Sequence, residues 1–119
     1  MTVKEIGDYG ERVAAAYLKY KGYEVLQQNY RIRGGEIDII AKDSEERYIF
    51  AEVKTRSHGI AAESVDRRKQ ERLIRTAIAY LGREDVDMRF DVIEVYYRLS
   101  AEGMIITRIN HIQNAFQGA

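Results

Sequence analysis

The 119-residue chain contains no cysteine. A disulfide framework, a thiol nucleophile and a Cys-ligated zinc are therefore excluded. Its two histidines, His58 and His111, lie in different contexts. A His-rich metal site or a Ser-His-Asp relay finds little support. There is no proline, so glycine and short polar clusters supply all the punctuation. No stretch approaches the roughly 18 apolar residues that a membrane-spanning helix needs. The segment from Met1 to Asp8 lacks the apolar core of a secretory signal. A soluble, cytoplasmic protein is the expectation. Formal net charge is also absent, because 19 basic residues balance 19 acidic ones. A purely electrostatic nucleic-acid binder needs a basic excess, so that class is excluded. A basic patch offset by acids elsewhere is not. With no thiolate and little imidazole, any metal must be held through oxygen, which favours Mg²⁺ or Mn²⁺.

What is present is an ordinary globular balance, with 45% hydrophobic and 32% charged residues. The length suits a single domain spanning 1–119. Apolar spacing predicts a helix over Val3 to Lys21, carried by Ile6, Gly10, Val13, Tyr17 and Tyr20 and widened by Ala14 and Leu18. Gly22 suits its C-terminal cap. Strands are expected at Tyr23 to Arg31, Glu36 to Lys42 and Tyr48 to Thr55, separated by a Gly34-Gly35 turn and the polar hairpin loop Asp43 to Arg47. A loop over Arg56 to Ala62 leads to a second helix, Glu63 to Leu81, ended by Gly82. Further strands follow at Met88 to Tyr97 and Met104 to Ile109, with Asn110 to Phe116 a short helix or ordered tail. The order α-β-β-β-α-β-β predicts an α/β fold with a mixed sheet of about five strands flanked by helices.

The informative segments are Glu36-Ile37-Asp38-Ile39 and Glu52-Val53-Lys54. Side chains alternate along a strand, so Glu36 and Asp38 share a face, as do Glu52 and Lys54. If Lys42 pairs with Tyr48, Asp38 falls opposite Glu52 and Glu36 opposite Lys54. Facing side chains lie about 5 Å apart at Cβ, where two carboxylates repel. A divalent cation bridging Asp38 and Glu52 would offset that cost, with the Val53 carbonyl as a further ligand and Lys54 as an adjacent proton donor. The alternative is a solvated face on which Glu36 and Lys54 form a cross-strand ion pair. Glu11 falls at the edge of the first helix's apolar stripe. It either reaches over the sheet or turns out to water.

These residues resemble the PD-(D/E)XK nuclease superfamily. More narrowly, the chain is similar to the YraN-like family of small bacterial proteins, distant relatives of archaeal Holliday junction resolvases. The resemblance rests on Gly10-Glu11, Arg33 to Ala41, Ala51 to Arg56, Lys69-Gln70 and Phe90-Asp91-Val92. One departure is Ile37, where the superfamily name carries a proline. The resemblance implies a restriction-endonuclease-like three-layer core. It implies that Asp38 and Glu52 bind metal, that Lys54 is the catalytic lysine, and that Glu11 completes the site. It also implies Mg²⁺ or Mn²⁺ as cofactor, DNA as substrate (branched DNA in the resolvase branch) and a possible homodimer.

Substrate contact is expected from Arg31 and Arg33 before the Gly-Gly turn, from Arg56 and Ser57 after Lys54, and from Arg67, Arg68, Lys69, Gln70, Arg72 and Arg75 on the second helix. The helix's alternative is a solvated charged face, with Asp66 and Glu71 as partners. His58 could touch phosphate or simply line the surface. Tyr30, Tyr48 and Tyr96 are expected to cover the sheet rather than stack on bases. Three functions stay open: a nuclease, a nucleic-acid-binding module without catalysis, and an interaction protein that binds neither. If Glu11, Glu36, Asp38 and Glu52 share one pocket, the rest of the chain carries a basic excess of four.

Overall fold

The computed structural model describes residues 1–57 and 65–116. Of the expected loop Arg56 to Ala62, Arg56 and Ser57 instead continue a strand, while the rest, with His58 and the expected helix start at Glu63, lies outside the described residues. Helix α1 spans Val3–Tyr20. Strands β1 (Glu24–Ile32), β2 (Gly35–Lys42) and β3 (Tyr48–Ser57) follow, then helix α2 (Arg67–Leu81) and strands β4 (Met88–Ser100) and β5 (Gly103–Phe116). The five strands form one sheet in the order β1-β2-β3-β4-β5. The pairing of β3 with β4 is parallel and the rest is antiparallel, so α2 is the crossover between the parallel pair. The fold class and the element order match the expectation.

Each helix end has a local cause. Thr2 caps α1 with a capping box, its hydroxyl accepting from Glu5 N at 3.1 Å while Glu5 accepts from Thr2 N at 2.9 Å. Asp66 caps α2, accepting from Lys69 N at 2.8 Å, so the helix begins four residues later than its apolar pattern suggested. Gly82 closes α2 at φ 76°, a backbone shape that glycine adopts without strain.

The helices cover opposite faces of the sheet. On one face Ala14, Ala15 and Leu18 of α1 pack on Ile39, Ala41, Ile49, Ala51, Ile93 and Val95. On the other, Leu73 and Ala77 of α2 pack on Ile37, Ile40, Phe50, Phe90 and Val92. This gives the three-layer arrangement. The anticipated stripe of α1 needs one correction, because Tyr20 is 87% exposed. Tyr30 and Tyr48 pack against Tyr80 and Tyr96 is buried, so these tyrosines do cover the sheet.

The C-terminal segment differs from expectation. Asn110 to Phe116 is neither helix nor tail but the second half of β5, paired back to Phe90. Its anchor is a buried ionic cluster. Arg89 makes a bidentate pair with Asp91 at 2.8 and 2.7 Å. The same carboxylate meets His111 Nε2 at 2.7 Å and accepts from Asn114 N at 3.0 Å. Tyr17 of α1 reaches His111 Nδ1 at 3.1 Å, and Tyr23 accepts from Arg89 at 2.8 Å. Burial pushes the Asp91 carboxyl up, but His111, Arg89 and the Asn114 amide outweigh it and hold it below the usual carboxylate range. Periodicity alone cannot register this anchoring, because Asn114 sits at φ 51° across a register shift.

This cluster should dominate mutational sensitivity away from the site. Asp91→Ala strands a buried guanidinium and should cost about 3–5 kcal/mol in urea unfolding. A loss below about 1 kcal/mol would show that water reaches Arg89 and that the cluster does not hold β5.

Candidate functional site

The register of the β2–β3 hairpin is the one expected, from Lys42↔Tyr48 to Ile39↔Ala51. The ladder then stops. Beyond it, Val53 N donates not to a strand carbonyl but to Asp38 Oδ2, at 2.8 Å. The two strands part at this point, and an acid fills the gap. The N–H and C=O of one residue leave a strand toward the same side, so the Val53 carbonyl opens into the same gap.

The other edge of β2 contributes to the parting. Asn29 stands opposite Asp38, between the pairs Gln28↔Ile39 and Tyr30↔Ile37, and has φ 54°. Ile37 belongs to the α2-side core while Ile39 belongs to the α1-side core. Strict alternation from Glu36 and Asp38 would put Ile37 and Ile39 together on the opposite face, and the structure separates them. The alternation breaks at Asp38, where the side chain turns to cap Val53.

Glu52 follows Ala51 on the α2 side of the sheet, and its side chain is 8% exposed. Lys54 Nζ approaches Glu52 Oε1 at 3.5 Å. Lys69, from the first turns of α2, makes an ion pair with the same oxygen. Glu52 Oε2 is buried and has no hydrogen-bond partner. Glu11 reaches the group from the other face. Gly10 allows this, because a Cβ there would lie 2.0 Å from Thr55 Oγ1 of β3. The helix backbone thus lies directly on the strand.

The electrostatics show how close these groups are. Burial pushes the Asp38 carboxyl up to about 6; the Val53 amide pulls it down, and the charges of Glu11, Glu52 and Glu36 add to the rise. Burial, Asp8 and Glu36 raise Glu11, against a hydrogen bond from Asn29. Burial lowers the Lys69 ammonium, but Glu52 more than compensates and its pKa rises. The structure therefore brings together Glu11, Asp38, Glu52, Lys54 and Val53.

The expected Glu36–Lys54 pair does not form. Glu36 instead pairs with Arg31 of β1 at 3.2 Å. Arg31, Gly34, Gly35, Glu36, Lys69 and Arg72 line a cleft of about 480 Å³ beside the acids. Arg33, Arg68 and Arg72 are exposed, and of these Arg72 lines the cleft. Gln70 is engaged locally, donating to the Val65 carbonyl at 2.7 Å. Arg56 is a correction. It is 9% exposed and pairs with Glu94 at 3.4 Å, so it lies inside the protein rather than on a phosphate-facing surface. Alternation along β3 points it inward, next to a buried acid that β4 brings alongside. Arg31, expected to contact substrate, does line this cleft, whereas Asn29 and the Lys69–Glu52 contact were not anticipated.

Among the described residues, no three His, Asp or Glu side chains gather closely enough to cage a metal. Mg²⁺ does not need such a cage, since it keeps several waters and uses one or two carboxylates. Asp38, the unpartnered oxygen of Glu52 and the Val53 carbonyl fit that donor set.

The family model described as "Uncharacterised protein family UPF0102" matches residues 10–95. The chain belongs to this family, the YraN-like proteins. A UPF0102 protein of Clostridioides difficile is 47% identical over 122 residues, covering 98% of this chain and 100% of the relative. One from Caldanaerobacter subterraneus is 40% identical over 119 residues, covering 95% of each. One from Alkaliphilus oremlandii is 46% identical over 121 residues, covering 95% of this chain and 98% of the relative. The matched region runs from Gly10 to Val95 and so contains every residue of the site.

The raised Asp38 carboxyl has a stability consequence. The folded state holds its proton up to about pH 6, whereas the unfolded chain releases it near the ordinary carboxylate value. The ionised form is therefore disfavoured by folding, and its cost is fully present above about pH 6 and absent in acid. In EDTA, Asp38→Asn should gain on the order of 2–3 kcal/mol at pH 7.5. The gain should vanish by pH 4. Urea titrations at both pH values check this, and an equal effect at the two would refute it.

Proposed function

We propose that the protein is a divalent-metal-dependent nuclease that hydrolyses phosphodiester bonds in DNA, with branched DNA as the substrate class implied by its resemblance to junction resolvases. The observation that carries this reading is the meeting of Asp38, Glu52 and Lys54 where β2 and β3 part, beside a basic cleft. A fold built only for binding gains nothing from two mutually repelling, desolvated acids. Hydrolysis adds water to phosphorus, breaks one P–O bond and gives the departing oxygen a proton.

Asp38, Glu52 and the Val53 carbonyl would hold the cation, which supplies Lewis-acid stabilisation of the charge building on the phosphate. Lys54 extends from the strand that carries Glu52 and places an ammonium where that charge develops. Glu11 sits on the far side of the gap and adds negative potential that favours a divalent ion. Arg31, Lys69 and Arg72 in the cleft, with the exposed Arg33 and Arg68 each next in sequence to a lining residue, give the flanking phosphates their partners. Among the described residues no helix is long and apolar enough to cross a membrane.

A second reading, a nucleic-acid-binding module without catalysis, draws on one fact. Lys69 already neutralises part of the acid charge at Glu52. The two readings separate in one assay. With Mg²⁺ or Mn²⁺, the protein should cleave members of a panel of duplex, flap and four-way DNA. Asp38→Ala, Glu52→Ala and Lys54→Ala should each lower the rate by about 100-fold or more, with unchanged circular dichroism. Glu11→Ala should lower it less. Mn²⁺ affinity measured without DNA should fall as pH drops through about 6, where a proton competes with the cation for Asp38. Steeply salt-dependent DNA binding with no cleavage under any divalent ion would favour the module instead.

A further inference from the structure

The ion pair between α2 and β3 is placed so that it competes with the cation. Glu52 is 8% exposed and receives two ammonium groups, Lys69 and Lys54, on one oxygen, Oε1. The other oxygen has no hydrogen-bond partner among the described residues. A carboxylate can accept about four hydrogen bonds, so this is an uneven arrangement. Positive charge crowds one side and the other is left bare.

The two lysines are not equivalent. Lys54 rises from the same strand as Glu52, and its side chain is 24% exposed. Lys69 comes from a different element, is 36% exposed, and also lines the open cleft with Arg31, Arg72 and Gly34. Its flexible stem therefore has two destinations, the carboxylate of Glu52 or the cleft in which a phosphate would lie.

We propose that Lys69 is an internal counter-cation that holds Glu52 until a divalent ion takes its place, and that its ammonium then turns into the cleft as a phosphate ligand. This rests on the metal-dependent reading above. The electrostatics favour exchange. A divalent ion beside Asp38 and Glu52 repels the Lys69 ammonium, while a phosphate in the cleft attracts it. Lys69 is thus a positioning residue for the cation and couples α2 to the acids of β2 and β3.

The test is calorimetric titration of the purified protein with Mn²⁺ alone. Lys69→Met should bind Mn²⁺ on the order of 10- to 100-fold more tightly than the wild type. Lys69→Arg, which keeps the charge, should stay near wild type. Arg67→Met, which removes an equal charge from the exposed start of the same helix, should also leave affinity unchanged. In EDTA, Lys69→Met should melt a few degrees lower, and this loss should disappear in the Glu52→Gln background, because the partner is already gone. Equal Mn²⁺ affinity in wild type and Lys69→Met would overturn the inference while leaving the metal-dependent reading intact. Equal tightening by Arg67→Met would also overturn it, since the effect would then be general charge. If neither wild type nor Lys69→Met binds Mn²⁺, the metal-dependent reading fails and the inference falls with it.

Discussion

The hydrogen bond from the Val53 amide to Asp38 Oδ2 is the contact on which the site depends. In an uninterrupted hairpin that amide would face a carbonyl of β2, as Ile39 and Ala51 still face each other one step earlier. Once a side chain takes the amide, β2 and β3 diverge without leaving a buried donor unpaired. Divergence opens the gap from which Glu52, Lys54 and the Val53 carbonyl are reachable. It also buries Asp38 deeply enough to raise its carboxyl to about 6. Geometry and electrostatics therefore share one cause.

Two buried acid systems lie in the same sheet and do different work. Asp91 is surrounded by donors, from Arg89, His111 and Asn114, and its carboxyl is held low. Every lone pair it offers has a use, and the cluster ties α1, β4 and β5 together. Asp38 has one backbone donor and three acids as neighbours, so its carboxyl is held high. Glu52 leaves an oxygen bare. Satisfied acids of the first kind are structural, whereas under-satisfied acids of the second kind mark a place where another charge is expected. The contrast within one sheet is stronger support for a functional site than either acid alone.

The architecture was legible in the chain because its signals are periodic. The two helices, the order of the strands and the hairpin register follow from apolar spacing, glycines and one polar loop. That register carries Asp38 to the Glu52–Val53 segment, but the ladder stops before the expected Asp38–Glu52 pair and Asp38 meets the Val53 amide instead. Three features were not legible, each for a physical reason. The break in alternation at Asp38 depends on a left-handed Asn29 opposite it, which no pattern of period two reveals. The extension of β5 depends on Asp91 receiving Asn114, a contact between segments far apart in the chain. The inward turn of Arg56 depends on Glu94 arriving beside it through the parallel pairing of β3 with β4.

The zero net charge acquires a structural meaning from these placements. Part of the balance is local, in exposed pairs such as Lys4–Asp8 and Arg83–Asp85. Asp91 and Glu94 are neutralised inside by Arg89 and Arg56, so those pairs cancel without reaching solvent. Asp38, Glu52 and Glu11 concentrate at the strand gap, where their mutual repulsion raises the cost of folding. Arg31, Lys69 and Arg72 line the cleft next to that gap. A neutral chain can thus present a polyanion with a basic rim and a cation with an acidic centre a few side chains away. Lys69 belongs to both regions. Its charge is counted once in the sum, yet it offsets the acids when it lies on Glu52 and adds to the rim when it turns away.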